Sequence, residues 1–178
     1  MKKYLGVMIC VAAFMIFVSA SAFAGNPESF NVTVSISTAA SITVTGGPVS
    51  FGTMSTGSSL VSSSPVTVKN TGSGSSQTYS LSLSNPAGWS AVTTTPGFNE
   101  YRLSGAFDAD GTLTWDLANH ALTTSSVASS AAKFAGDETG IGVPYNADRH
   151  LYLKMETPSG TSSPSQKTIQ VTITAAID

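Results

Sequence analysis

The sequence predicts an all-β chain: a single antiparallel β-sandwich domain behind an N-terminal export signal. Three observations carry this reading. Apolar residues alternate with Ser and Thr over several short stretches, the period-two pattern of half-buried strands. Clusters of Gly, Pro, Asn and Ser separate those stretches, as turns do in sandwiches and barrels. Beyond residue 24, no segment carries apolar residues at the 3.6-residue spacing of an amphipathic helix. Charged residues make up 10% of the chain, well under the usual share of about a quarter. Disorder requires high net charge with few large apolar residues, so the low charge reflects outward strand positions filled by Ser and Thr.

The chain opens Met1-Lys2-Lys3, runs apolar from Leu5 to about Val18, and then turns to small residues ending in Ala22-Phe23-Ala24. A basic start, an apolar middle and an Ala-x-Ala site predict a signal peptide over 1–24, cleaved after Ala24. The apolar run falls short of the roughly 20 residues that span a bilayer. Cys10, the only cysteine, lies inside that run rather than at the cleavage point, so lipidation is not expected. The remaining domain, 25–178, has no cysteine, which removes disulfides and thiolate metal sites. Loss of Lys2 and Lys3 takes the formal charge from −2 to −4. Without a Lys/Arg cluster, nucleic acid is a poor partner. No membrane insertion is expected after cleavage. The destination is secreted, periplasmic or cell-surface.

Phe30, Val32, Val34 and Ile36 alternate with polar residues, and Ile42 and Val44 continue the pattern to Gly46-Gly47-Pro48. Val49 to Gly52 reads as a short strand, and Thr53 to Ser64 as a Ser/Gly-rich loop. Val66 and Val68 lead into the turn Asn70-Thr71-Gly72. Tyr79, Leu81 and Leu83 form the next strand, closed by Asn85-Pro86. Trp89–Val92 and Tyr101–Leu103 read as further strands. Phe107 and Leu113–Trp115 flank the turn Asp108-Ala109-Asp110-Gly111. Thr123 to Gly142 has the least pattern, within an irregular, insertion-like region over about 98–148; a short helix over Ser125–Lys133 sits poorly among β-rich neighbours. Leu151, Leu153 and Met155 then alternate with His150, Tyr152, Lys154 and Glu156. Ile169, Val171, Ile173 and Ala175 alternate with Gln170, Thr172 and Thr174. This last strand is expected to bury its apolar face and to pair with 29–37 or 66–70.

Val49-Ser50-Phe51-Gly52-Thr53, Gly57 and Val66-Thr67-Val68-Lys69-Asn70-Thr71-Gly72 resemble the signature of Hydin-type and related bacterial surface immunoglobulin-like domains, over residues 49–85. The resemblance implies an immunoglobulin-like sandwich, with Phe51 packed between the sheets and the Asn-Thr-Gly turn joining two strands. It is nearly silent on function. A weaker resemblance is to chaperone–usher pilin subunits, which are also exported, Ser/Thr-rich sandwiches. It implies that 29–37 acts as a donor strand; the competing reading makes 29–37 the first strand of a complete domain. The chain departs from pilins in lacking a cysteine pair and a penultimate aromatic.

Candidate chemistry is sparse. His120 and His150 are the only histidines, expected to face solvent, and no Gly-x-Ser-x-Gly elbow accompanies them. Asp108, Asp110 and Asp116 form the one candidate metal set: carboxylates two apart with a following Gly open many calcium loops. Asn119 stands where an EF-hand loop carries glutamate, and Asp-Gly is equally a plain turn. Calcium and turn both remain open; no other cofactor is expected. Trp89, Tyr101, Trp115 and Tyr145 fall near predicted strand ends. Among them Tyr101 and Trp115 are candidates for stacking on sugar rings, with core burial the alternative for the tryptophans. The expectation is a non-enzymatic structural or adhesive module, self-associating through edge strands, with other copies of itself, surface proteins or glycans as partners. The alternative is a carbohydrate-binding module, calcium-dependent or not.

Overall fold

A computed structural model describes residues 33–34 and 38–178. The expected signal peptide lies outside the described residues, as does the expected strand over 30–36 apart from Thr33 and Val34. The chain divides into two units, Met1–Ser35 and Ile36–Asp178, and the fold described is that of the second.

Two β-sheets face each other. The larger runs β1 (Ile42–Thr45), β3 (Val66–Asn70), β8 (Asp148–Glu156), β6 (Glu100–Phe107), β5 (Ser90–Ala91), with β2 (Ser59–Val61) also on β8. It curls into half a barrel. The smaller runs β7 (Val127–Ala128), β4 (Gln77–Ser84), β9 (Gln170–Ile177). The named strands pair antiparallel, except β5 with β6. A single helical turn, α1 (Leu117–His120), is the only helix among the described residues, and none there is long and apolar enough to cross a membrane.

The alternation places the core. Tyr79, Leu81 and Leu83 of β4 are buried, as are Leu151, Leu153 and Met155 of β8, while the residues between them remain partly exposed. The two inward faces meet with Val68, Leu103, Phe107 and Leu122, and the Tyr79 and Phe107 rings lie 5.9 Å apart. Each large side chain so buried contributes about 1.5–3 kcal/mol. β6 departs from the pattern: residues Tyr101 to Phe107 are all buried. The chain returns along it, with Leu122 N–H on the Leu103 carbonyl (2.9 Å) and Phe107 N–H on the Phe134 carbonyl (2.9 Å). Part of the stretch expected to be irregular is therefore an interior strand.

The Asn70–Gly72 turn carries the chain from one sheet to the other. Asn70 is fully buried. Its side chain accepts from Gly72 N–H (2.9 Å) and donates to the carbonyls of Ser75 (2.9 Å) and Val143 (2.8 Å). A Cβ on Gly72 would lie 2.6 Å from the Ala39 carbonyl oxygen, so only glycine fits.

Several sequence expectations are corrected. Val49–Gly52 is not a strand; Phe51 is half-buried in a loop. The Thr53–Ser64 loop contains β2, which continues the line of β3 along the same edge of β8. Trp89–Val92 shrinks to two strand residues. Leu113–Trp115 forms no strand and leads into α1 instead. Ser125–Lys133 holds the two-residue strand β7, in keeping with its β-rich neighbours. The terminal strand β9 pairs with β4, from Gln170↔Ser84 to Ile177↔Gln77, and not with 66–70. Both strands present an apolar inner face of matching length, which an alternation read alone cannot distinguish from other pairings.

Candidate functional site

Asp108 and Asp110 share one turn, and Asp116 stands apart as the cap of α1. Asp108 directly follows β6 and is 3% exposed. Its carboxylate accepts from the N–H groups of Gly111 (2.7 Å) and Asp137 (3.1 Å). Asp110 accepts from Thr112 N–H (3.0 Å) and Oγ1 (2.6 Å). The Thr112 hydroxyl and then its N–H hold this carboxyl below the usual range. Asp116 caps α1, accepting from Ala118 N–H (2.9 Å) and Asn119 Nδ2 (2.6 Å), and those bonds lower its carboxyl too. Backbone and side-chain donors thus engage all three groups. Among the described residues no three His, Cys, Asp or Glu side chains gather to hold a metal. The geometry here is a turn and a helix cap.

His120 is buried, against the expectation of a solvent-facing ring. Its Nδ1 accepts from Asp116 N–H (3.0 Å) and its Nε2–H donates to the Ala135 carbonyl (3.0 Å). Those two partners select the Nε2–H tautomer. His150 is half-exposed and lies 3.3 Å from Glu138. Among the described residues neither imidazole bonds to a serine hydroxyl.

Tyr101 and Trp115 are not brought together. Tyr101 is fully buried, its hydroxyl donating to Asn85 (3.2 Å), and burial pushes the phenol up to about 12. It packs beside Trp89, at 6.1 Å. Trp115 is half-buried, edge-on to His120 at 5.8 Å. Tyr101 lies near the start of β6 and Trp115 follows its far end, and the two rings pack on different neighbours, Trp89 and His120. Tyr101 therefore offers no face to a sugar ring, because the strand that carries it is interior. Tyr145 is exposed.

The feature that the sequence reading missed is a groove between the sheets. It encloses about 1150 Å³. Val66, Leu103, Leu151, Leu153 and Met155 line it from the larger sheet, and Ile169, Val171 and Ile173 from β9 and its approach. The loop carrying Phe51 and Met54 forms a rim. Trp89 lies at one end, with the Lys167 ammonium 5.8 Å above its ring. Lys167 is tied by the Ala87 carbonyl (2.8 Å) and Ser163 Oγ (2.6 Å). The lining is mixed: beside these apolar side chains stand Ser50, Thr53, Thr56, Gln166 and the Lys167 ammonium.

Among the described residues β9 is also a sheet edge, with β4 its only partner. The other terminal strands are short: β1 has four residues, β5 and β7 two each. β9 has eight, and Thr168 to Ile177 includes no charge and no proline. Shortness, charge and proline are the usual protections of an edge, and β9 has none of them. The apolar alternation of β9 was readable; its place at an edge was not. No family model matches the chain, and no curated protein matches it.

Proposed function

We propose that this chain is an exported structural module with an immunoglobulin-like sandwich, working outside the cytoplasm by associating with copies of itself through the edge of β9. One observation carries the reading: an eight-residue, uncharged edge strand stands beside an apolar groove. An exposed edge offers a row of unpaired N–H and C=O groups to another chain's strand. The N-terminal basic, apolar and small-residue pattern supports export. The Ser/Thr-rich, low-charge surface supports a structural role.

The test is the assembly state of the exported, purified protein by sedimentation over a wide concentration range. The mass rises with concentration. Thr172→Lys with Thr174→Lys, both at exposed positions of β9, keeps the protein monomeric with an unchanged circular dichroism spectrum. A wild-type protein that stays monomeric at high concentration removes this reading.

A further inference from the structure

The lining of the groove sorts by element. Every strand residue in it is apolar, among them Val66, Leu103, Leu151, Leu153 and Val171. The polar ones all stand in loops, chiefly residues 50–56 and 161–168. Among the described residues Lys167 is the only charged residue in the lining. Its ammonium bonds to neutral oxygens alone, the Ala87 carbonyl and Ser163 Oγ, with Ser165 Oγ at 3.5 Å. Among the described residues no carboxylate pairs with it. Those bonds hold the charge over Trp89 at one end of the groove and leave it uncompensated. A half-buried cation beside an apolar wall favours an anion as its partner.

The occupant that fits has two parts. One is an anion that meets a single ammonium. The other is an apolar body that follows the strands. Leu151 to Met155 of β8 gives about 13 Å of apolar floor. Met54 and Met155 also line it, and methionine side chains adapt to a flexible occupant. The space of about 1150 Å³ lies just above the roughly 300–1,000 Å³ of ordinary small-molecule sites.

We infer that the groove is a fatty-acid site: one acyl chain of medium length lies along Leu151, Leu153 and Met155, and its carboxylate meets the Lys167 ammonium beside Trp89. Charge sets this ligand apart from other lipids. A neutral lipid leaves the ammonium unpaired. A zwitterionic head brings a cation, for which the described lining has no carboxylate. The ligand touches inward-facing side chains, whereas pairing at the β9 edge uses main-chain groups, so the site stands apart from the proposed assembly.

The test is titration of the exported, purified protein with octanoate, decanoate and dodecanoate below their micelle-forming concentrations, and with dodecanol as the uncharged match. Calorimetry gives Kd, and tryptophan emission follows filling of the groove beside Trp89. Kd falls about fourfold for each methylene added, and the melting temperature rises with ligand concentration. Dodecanol binds roughly tenfold more weakly than dodecanoate. Lys167→Met, which keeps an apolar stem, brings dodecanoate to the level of dodecanol, and Lys167→Arg restores the preference. Circular dichroism shows that both variants keep the fold. Three outcomes overturn the inference. Equal affinity for dodecanoate and dodecanol, in wild type and Lys167→Met alike, means that the groove takes apolar matter without reading charge. An affinity independent of chain length places the anion on the outer surface. No binding by any of the four, with an unmoved melting temperature, means that the groove is closed to small ligands.

Discussion

Arg102 carries a full charge into a nearly sealed part of the larger sheet, where it is 4% exposed. Its cross-strand neighbour in register is Glu156, and the two form an ion pair with little solvent around it. Arg102 Nε and Nη1 have no partner among the described residues, so most of the compensation rests on one carboxylate, which also meets Lys154 at 3.2 Å. Burial alone would raise the Glu156 carboxyl. Hydrogen bonds from Arg102 and Lys154, and then their charges, outweigh it and hold the carboxyl below its ordinary value of 4.5. A carboxyl lowered by folding stabilises the fold fully above that ordinary value. Its contribution is lost as pH falls through the lowered, folded one. Unfolding free energy from urea titrations should therefore fall more steeply below pH 4.5 in the wild type than in Glu156→Gln. At neutral pH Glu156→Ala should cost about 3–5 kcal/mol, because it strands a buried guanidinium. Equal acid slopes in both proteins would show that the pair does not link protonation to stability. None of this was legible beforehand: Glu156 reads as an outward residue from its parity, and only the burial of Arg102 makes it matter.

At the scale of elements, period two was informative wherever a strand was long enough to show it. β3, β4, β8 and β9 stand where the alternation placed them, and Tyr101–Leu103 lies within β6. β2, β5 and β7 have three, two and two residues, too few to display a period, and tertiary pairing alone makes them strands. β9 shows how far the pattern reaches. Ile169, Val171, Ile173 and Ala175 do face the core, but each is only half-buried; the groove runs along the first three. The mutational consequence is correspondingly moderate. Ile173→Asp should lower stability by roughly 2 kcal/mol without abolishing folding. Thr172→Asp, on the exposed face, should stay within about 0.5 kcal/mol of wild type. Denaturant midpoints check both. A fully unfolded Ile173→Asp would mean that the groove is closed in solution and that β9 is as buried as β4.

At the scale of the whole molecule, an open apolar groove is a structure with part of its core surface still to be covered. Anything that covers it in the folded state and not in the unfolded one adds stability by mass action. The melting temperature of the exported protein should therefore rise with its own concentration, and calorimetry over a dilution series reads this directly. A flat series would contradict assembly through the groove. The all-β class, the strand faces, the Asn-Thr-Gly turn and the apolar periodicity of Phe30–Ile36 are visible along the chain, because each depends on residues within a few positions of one another. The same locality put Asp108, Asp110 and Asp116 forward as one candidate set, with a plain turn as the alternative. In the fold Asp108 bonds to Asp137 N–H, and Asp116 caps a helix. Strand order, the place of β9 at an edge among the described residues, the burial of Tyr101 and the groove follow from pairings such as Gln77 with Ile177 and Arg102 with Glu156. Such pairings lie beyond sequence pattern because many strands carry equivalent alternation. Which of them meet is settled by the packing of all the inner faces at once.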